Sequence, residues 1–421
     1  MGAVVRRFAS GLAVSAAAAA AGGGVTSGCD ASIPGSASIA RDSAGIAILH
    51  NETAAWSPRS EWRFSGTPRI SIGVLEGDPA YQFFNARQAV RLRDGRIVVG
   101  DGGSREIRLF DAQGGHLTSF GGEGSGPGEF QRLSWLGMVG TDSVVVYDQP
   151  LRRMTVIELS TGELREVSFA RSANTFFPMV LGHTSTGEVI AQLIARVRGA
   201  DLPAGLLRDS LHVLRFSPDA RTVDTIGSFA HQIRDVRMRS IGETRRRIPA
   251  TLPFSPTAVT AFRDDRIWAG TGEAYAIRGY DVDGRLDRIL RRSVEAEPIT
   301  SGDIDRLVGH WRDFYAGRLG NPEIAFFIAT LEETPPPERF PAYSSLAIDA
   351  DENLWVGAFR RPFDEARSWD VFAPDGVWRG TVEGPDGFEA AEFGSDHALG
   401  FLTDELDVQR LVLFDLIKPE R

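Results

Sequence analysis

No single segment of the chain carries the ligands of a metal site: its seven histidines include no His-x-x-x-His pair, and its one cysteine, Cys29, excludes Cys-x-x-Cys. Ligands can still be gathered from strands far apart in sequence. His183, Asp349, Glu389 and Glu392 lie on or beside strands that the repeat described below places innermost. One imidazole with three carboxylates is a donor set for a divalent cation, and that set would serve a hydrolase or lyase. Arg87, Gln88, Arg91 and His183, on the same class of strand, would instead hold a ligand without reacting it. Local motifs add little. The string Gly122, Gly124, Gly126 is followed by Pro127-Gly128-Glu129, without the Lys-Ser/Thr of a phosphate loop, and reads as a tight turn. The pairs Asp281/Asp283 and Asp349/Asp351 lack the further carboxylates of a calcium loop and sit where turns use Asp and Gly for backbone reasons. No Gly-x-Ser-x-Gly nucleophile elbow occurs.

The elements that must position these residues are short strands. Asp94 to Phe130 is the clearest stretch: a strand ending at Leu92, the turn Arg93-Asp94-Gly95, strands Ile97 to Gly100 and Ile107 to Phe110, the turn Gln113-Gly114-Gly115, and a strand Leu117 to Phe120. Weaker copies follow. The second begins at Leu133, the third at Met179, the fourth at Ala258, the fifth at Leu346 and the sixth at Glu389. The sixth has no fourth strand, so Gly45 to His50 or Arg69 to Gly73 is expected to supply it and close a ring.

Two insertions break the repeat. His231 to Pro253 carries six arginines, among them Arg234, Arg239 and Arg247, and reads as a solvated loop or short helix. Between the fourth and fifth units, about 295–341, Thr300-Ser301-Gly302-Asp303 has the form of a capping box. Ile304, Leu307, Val308 and Trp311 then share one helical face. A second helix is expected over Asn321 to Leu331.

The N-terminus reads as an export signal, with Arg6 and Arg7 before an alanine-rich apolar run too short to span a bilayer. Val25-Thr26-Ser27-Gly28-Cys29 resembles a lipoprotein processing box, which would make 1–28 a signal peptide, Cys29 the lipidated residue and 29–42 a flexible tether. Cleavage near Ala21, leaving an incidental thiol, is the alternative. A formal net charge of −10 opposes the basic face that nucleic-acid binding requires. Membrane contact is expected only through the lipid.

Taken together, Phe120-Gly-Gly-Glu-Gly-Ser-Gly-Pro-Gly-Glu-Phe130, Asp94-Gly-Arg-Ile-Val-Val-Gly-Asp101 and Asp349-Ala-Asp-Glu-Asn-Leu-Trp-Val356 resemble NHL-type repeats. The ending, Val371-Phe-Ala-Pro-Asp-Gly376 with Gly380-Thr-Val382 and Thr403-Asp-Glu-Leu406, is similar to exported bacterial six-bladed propellers. The resemblance covers about residues 43–417 and implies an all-β, six-bladed β-propeller with a helical insertion between blades four and five. It does not select an activity. Three functions remain open: an exported, lipid-anchored module binding a small molecule or protein at one ring face without a cofactor; a divalent-metal-dependent, lactonase-like hydrolase or lyase with its site in the central channel; or an envelope scaffold whose basic insertion and amphipathic helix contact a neighbour.

Overall fold

In the computed structural model, residues 31–32, 38–57, 61–169, 178–196, 202–241 and 244–418 are described. The expected signal segment 1–28 and Cys29 lie outside them. The described strands form six sheets. Their innermost strands are Ala86–Arg91, Leu133–Val139, Met179–His183, Val259–Arg263, Ser345–Ile348 and Glu389–Phe393. Each abuts the next, and the last abuts the first. The chain is a β-propeller.

The run Ile97-Val98-Val99 shows why its sequence is continuously apolar rather than alternating. Val98 packs with Val144 and Val146 of sheet two, whereas Ile97 and Val99 pack with Leu399 and Leu411 of sheet six. A strand buried on both faces has no solvent side to mark with polar residues. The same division recurs in sheet two, where Val144 and Val146 face sheet one and Val145 and Tyr147 face sheet three. Each pair of neighbouring sheets shares one such cluster around the whole cycle.

Ring closure falls to the second of the two expected donors. Ile70–Ile72 pairs antiparallel with Gln409–Ile417 of sheet six. The other, Ile46–Asn51, adds in parallel to Leu286–Arg292 at the outer edge of sheet four. It is held there by Asn51, which is buried, donates to the Gly376 carbonyl at 3.2 Å and accepts from the Trp378 N–H at 2.9 Å. Between these strands the Trp56 N–H bonds the Arg379 carbonyl of sheet five at 2.8 Å. Residues 46–57 and 61–72 therefore lace the outer edges of sheets four, five and six. Within the segment expected as a tether, 29–42, Ser38–Ser43 forms a strand paired with Ile46–Asn51.

Both insertions leave the face at which the inner strands begin, called here the entry face. The helical insertion forms α1 (Ser301–Phe314) and α2 (Pro322–Glu333), and the capping box at Thr300 and Asp303 is complete. The arginine-rich insertion is neither loop nor helix. Val223–Ile241 and Thr244–Thr251 form a long hairpin on sheet three. Its charge is not all solvated: Arg234 is buried against Asp209 at 2.5 Å, and Arg239 is buried among the Asp235 carboxylate, the Ile248 carbonyl and Thr334 at the end of α2. Burial of a guanidinium requires this degree of compensation. The hairpin is thereby tied to the helices. Among the described residues no helix is long and apolar enough to cross a membrane.

Candidate functional site

The inner strands surround a channel with two unlike ends. Within it, the Trp135 ring lies over Gly137 and the Phe262 ring over Gly182. A Cβ at these glycines would come within 2.4 and 2.6 Å of the rings, so the close approach requires glycine.

At the exit face, where the inner strands end, a cavity of about 400 Å³ is lined by Arg91, His183, Arg263 and Glu392 around those two rings. Three residues singled out from the sequence meet here, but their polar atoms are largely committed to the scaffold. His183 Nε2 is 2.6 Å from the Met138 carbonyl and its Nδ1 is 3.2 Å from that of Thr184. The imidazole thus ties the third inner strand to the second. Glu392 accepts the Arg91 main-chain N–H at 2.9 Å. Behind it His397 Nδ1 lies 2.7 Å from Asp396, and that contact holds the Asp396 carboxyl below its ordinary range.

The four residues expected as a metal set do not come together. His183 and Glu392 line the exit-face cavity, and Glu389 lies at the entry face. Asp349 is fully buried in the turn before Leu354–Gly357, where it accepts from the Asp351 and Asn353 N–H groups, the Asn353 amide and Trp355 Nε1 at 2.9 Å. It is a turn residue. Among the described residues no three His, Cys, Asp or Glu side chains are placed to hold a metal ion. Arg87 and Gln88 are separate again: Arg87 is exposed and bonds Asn85, and Gln88 reaches the Leu133 carbonyl at 3.3 Å.

The larger cavity, about 790 Å³, opens at the entry face between sheets five and six. Ser345 and Glu389 reach it from the first residues of two inner strands. The connection 358–366, between Leu354–Gly357 and Arg367–Phe372, forms its wall with Phe359, Arg360 and Phe363. Glu389 Oε1 accepts from Arg360 Nη1 at 2.7 Å and from Arg367 Nη2 at 2.9 Å. Arg367 is itself fixed, its Nε on the Phe388 carbonyl at 3.1 Å and its Nη1 on the carbonyls of Asp364 and Glu365.

The helical insertion orders this wall. Arg361 bonds Asp364 at 3.0 Å and reaches Asp303 at 3.4 Å, while Phe363 lies between Arg361 and Arg306 of α1, the latter 4.3 Å from its ring centre. Hydrogen bonds from Thr300, with help from Arg361, hold the Asp303 carboxyl below its ordinary value. One carboxylate therefore both caps a helix and anchors a cavity loop. Arg360, Arg361 and Arg367 match no motif in the sequence. The available signal was a charged connection, Arg360-Arg361-Pro362-Phe363-Asp364-Glu365, between two strands and at the same end as the insertion.

No protein-family model matches this chain, and no curated protein does. Solved structures do resemble it. A member of the DUF4221 family from Bacteroides vulgatus is 10% identical over 86% of this chain and 100% of its own, with a TM-score of 0.52. A gluconolactonase from Xanthomonas campestris is 10% identical over 86% of this chain and 99% of its own, with a TM-score of 0.40. A calcium-binding regucalcin from Agrobacterium tumefaciens is 9% identical over 85% of this chain and 96% of its own, with a TM-score of 0.37. At such identities a likeness speaks to fold alone, and the two lower scores carry no argument about this chain.

Proposed function

We propose that this protein is an exported six-bladed propeller of the NHL-like kind, held at a membrane by lipidated Cys29, that binds a small molecule at its entry-face cavity without reacting it. The observation that carries the reading is the cavity itself. Its volume of about 790 Å³ falls in the range of small-molecule sites, about 300–1,000 Å³, and its polar wall is ordered before any ligand arrives. Ordering in advance reduces the entropy a binding site would otherwise lose.

The same wall supports binding over catalysis. Glu389, its inner-strand carboxylate, is engaged by two arginines. The lining serines, such as Ser345 and Ser368, have no histidine among the cavity residues to act as base. The metal-dependent alternative draws no support from the dispersal of His183, Asp349, Glu389 and Glu392.

A thermal-shift screen of metabolites against the purified chain tests the binding claim. A ligand at 100 times its Kd stabilises the folded state by about 2.7 kcal/mol. That shift should fall by at least half in Arg360→Ala at the same concentration. Hits indifferent to Arg360→Ala and Glu389→Ala would remove the entry-face cavity as the site. The anchor is tested separately: Cys29→Ser should move the protein from the membrane pellet to the soluble fraction of an export-competent host, and an unchanged distribution would overturn the lipidation reading.

A further inference from the structure

We infer that the entry-face cavity takes an uncharged, polyhydroxylated ligand, a saccharide, with its hydroxyls on the Arg360–Glu389–Arg367 array and a sugar face against Phe359. The inference rests on the binding reading above and adds the chemical class.

Charge is the first argument. The lining contains three arginines, Arg360, Arg361 and Arg367, and three carboxylates, Asp364, Glu365 and Glu389. Except at Glu365 these are already paired with one another. The signs balance, so a strongly charged ligand meets no net field there: an anion drawn to Arg360 is repelled by Glu389 beside it, and a cation drawn to Glu389 is repelled by Arg360 and Arg367. A neutral ligand keeps every pair intact.

Hydrogen-bond supply is the second. Glu389 Oε1 accepts from both Arg360 and Arg367, whereas its Oε2 has no partner among the described residues, and the side chain is 63% exposed. Arg360 spends only Nη1 on Glu389, and its remaining N–H groups are unspent among the described residues. An unspent acceptor thus lies beside unspent donors on two planar groups joined by one hydrogen bond. A hydroxyl donates and accepts at once. Vicinal hydroxyls can therefore span the pair, giving to Oε2 and receiving from the guanidinium, with charge assistance in both directions. The hydroxyls of Ser345 and Ser368 add adaptable partners on the lining.

The apolar complement is the third. Phe359 lines the same cavity, is half-buried and is braced by the Phe340 ring at 5.6 Å, whereas Phe363 is already covered by Arg306 and Arg361. A braced ring offers flat apolar surface to the C–H face of a pyranose. A cavity built for an aliphatic chain would not carry six ionic side chains in its wall.

The test is isothermal titration of the full chain with maltotriose, cellotriose and xylotriose, and with gluconate and spermidine as charged counterparts. At least one trisaccharide is expected to bind, with affinity at least tenfold weaker in Glu389→Gln, which keeps shape and removes charge. Circular dichroism and the unfolding midpoint of that exposed-site variant should match the parent. No heat from any of the three sugars up to tens of millimolar overturns the class. Binding of gluconate or spermidine alone, weakened by Glu389→Gln, also overturns the class while leaving the cavity as a site. A sugar bound equally well by Glu389→Gln and Arg360→Ala would overturn the cavity reading itself.

Discussion

Asp101→Ala is expected to lower the unfolding free energy by about 3–5 kcal/mol, the cost of breaking a buried ion pair by removing one partner. Asp101 is fully buried and Arg108 is 3% exposed, with 3.3 Å between Arg108 Nη2 and the carboxylate. Arg108 also bonds the Gln82 carbonyl at 2.6 Å and Glu106 at 3.0 Å, so the charge left behind keeps some partners and cannot swing into water. The carboxylate further accepts from the Phe84 N–H at 3.2 Å and the Gly103 N–H at 3.0 Å. Asp101→Asn keeps the Oδ1 acceptor that both N–H groups share and should recover part of the loss, which separates charge from backbone bonding. Asp94→Ala supplies the contrast. Its pair with Arg96 is half-exposed and worth under about 1 kcal/mol. Urea titrations of the three variants check the order, and equal losses for Asp94→Ala and Asp101→Ala would contradict the account.

That prediction concerns a residue the sequence made visible for another reason. Asp101 closes the stretch Asp94 to Asp101, which stands out for its strand and turn spacing. The turn at Gly95, with φ of 94°, was legible because only glycine enters that region without strain. The two helices were legible as well, since Thr300 with Asp303 and Asn321 before Pro322 are local capping chemistry. What stayed hidden depends on partners remote in sequence. Charge density alone could not show that Arg234 is buried, because Asp209 lies on another strand. Nor could it show that Ile46–Asn51 adds in parallel to a strand some 240 residues away. Asp349 stays open between channel ligand and turn residue for the opposite reason: its partners are near, at Asn353 and Trp355, and an acidic residue at a strand end looks alike whether it faces a channel or closes a turn. The entry-face cavity was hidden because its wall is a loop whose order is imposed by α1 through Arg361 and Asp303.

The closing strand offers the largest effect of all. Ile70 and Ile72 are 9% and 3% exposed and pack with Leu399, Leu411 and Leu413 of sheet six and with Phe110 of sheet one. Truncating one buried isoleucine to alanine costs about 2–5 kcal/mol. Because the two share neighbours, their sum need not be additive. Even so, Ile70→Ala with Ile72→Ala is expected to remove about 4–8 kcal/mol, a large share of the roughly 5–15 kcal/mol that holds a domain folded. Location is the sharper test. Leu411 and Leu413 are the residues registered against Ile72 and Ile70, so amide exchange in the double variant should quicken first along Gln409–Ile417 and in Ala86–Arg91, across the seam. Sheets two and three should keep their protection. If Ile46–Asn51 closed the ring instead, the double variant would leave sheet six protected, and Leu49→Ala would open it. The segment joining the closing strand to sheet one is the one Arg108 grips at Ala80 and Gln82. Asp101→Ala should therefore speed exchange at the same seam, and exchange confined to the sheet-one turn would show that the two devices act apart.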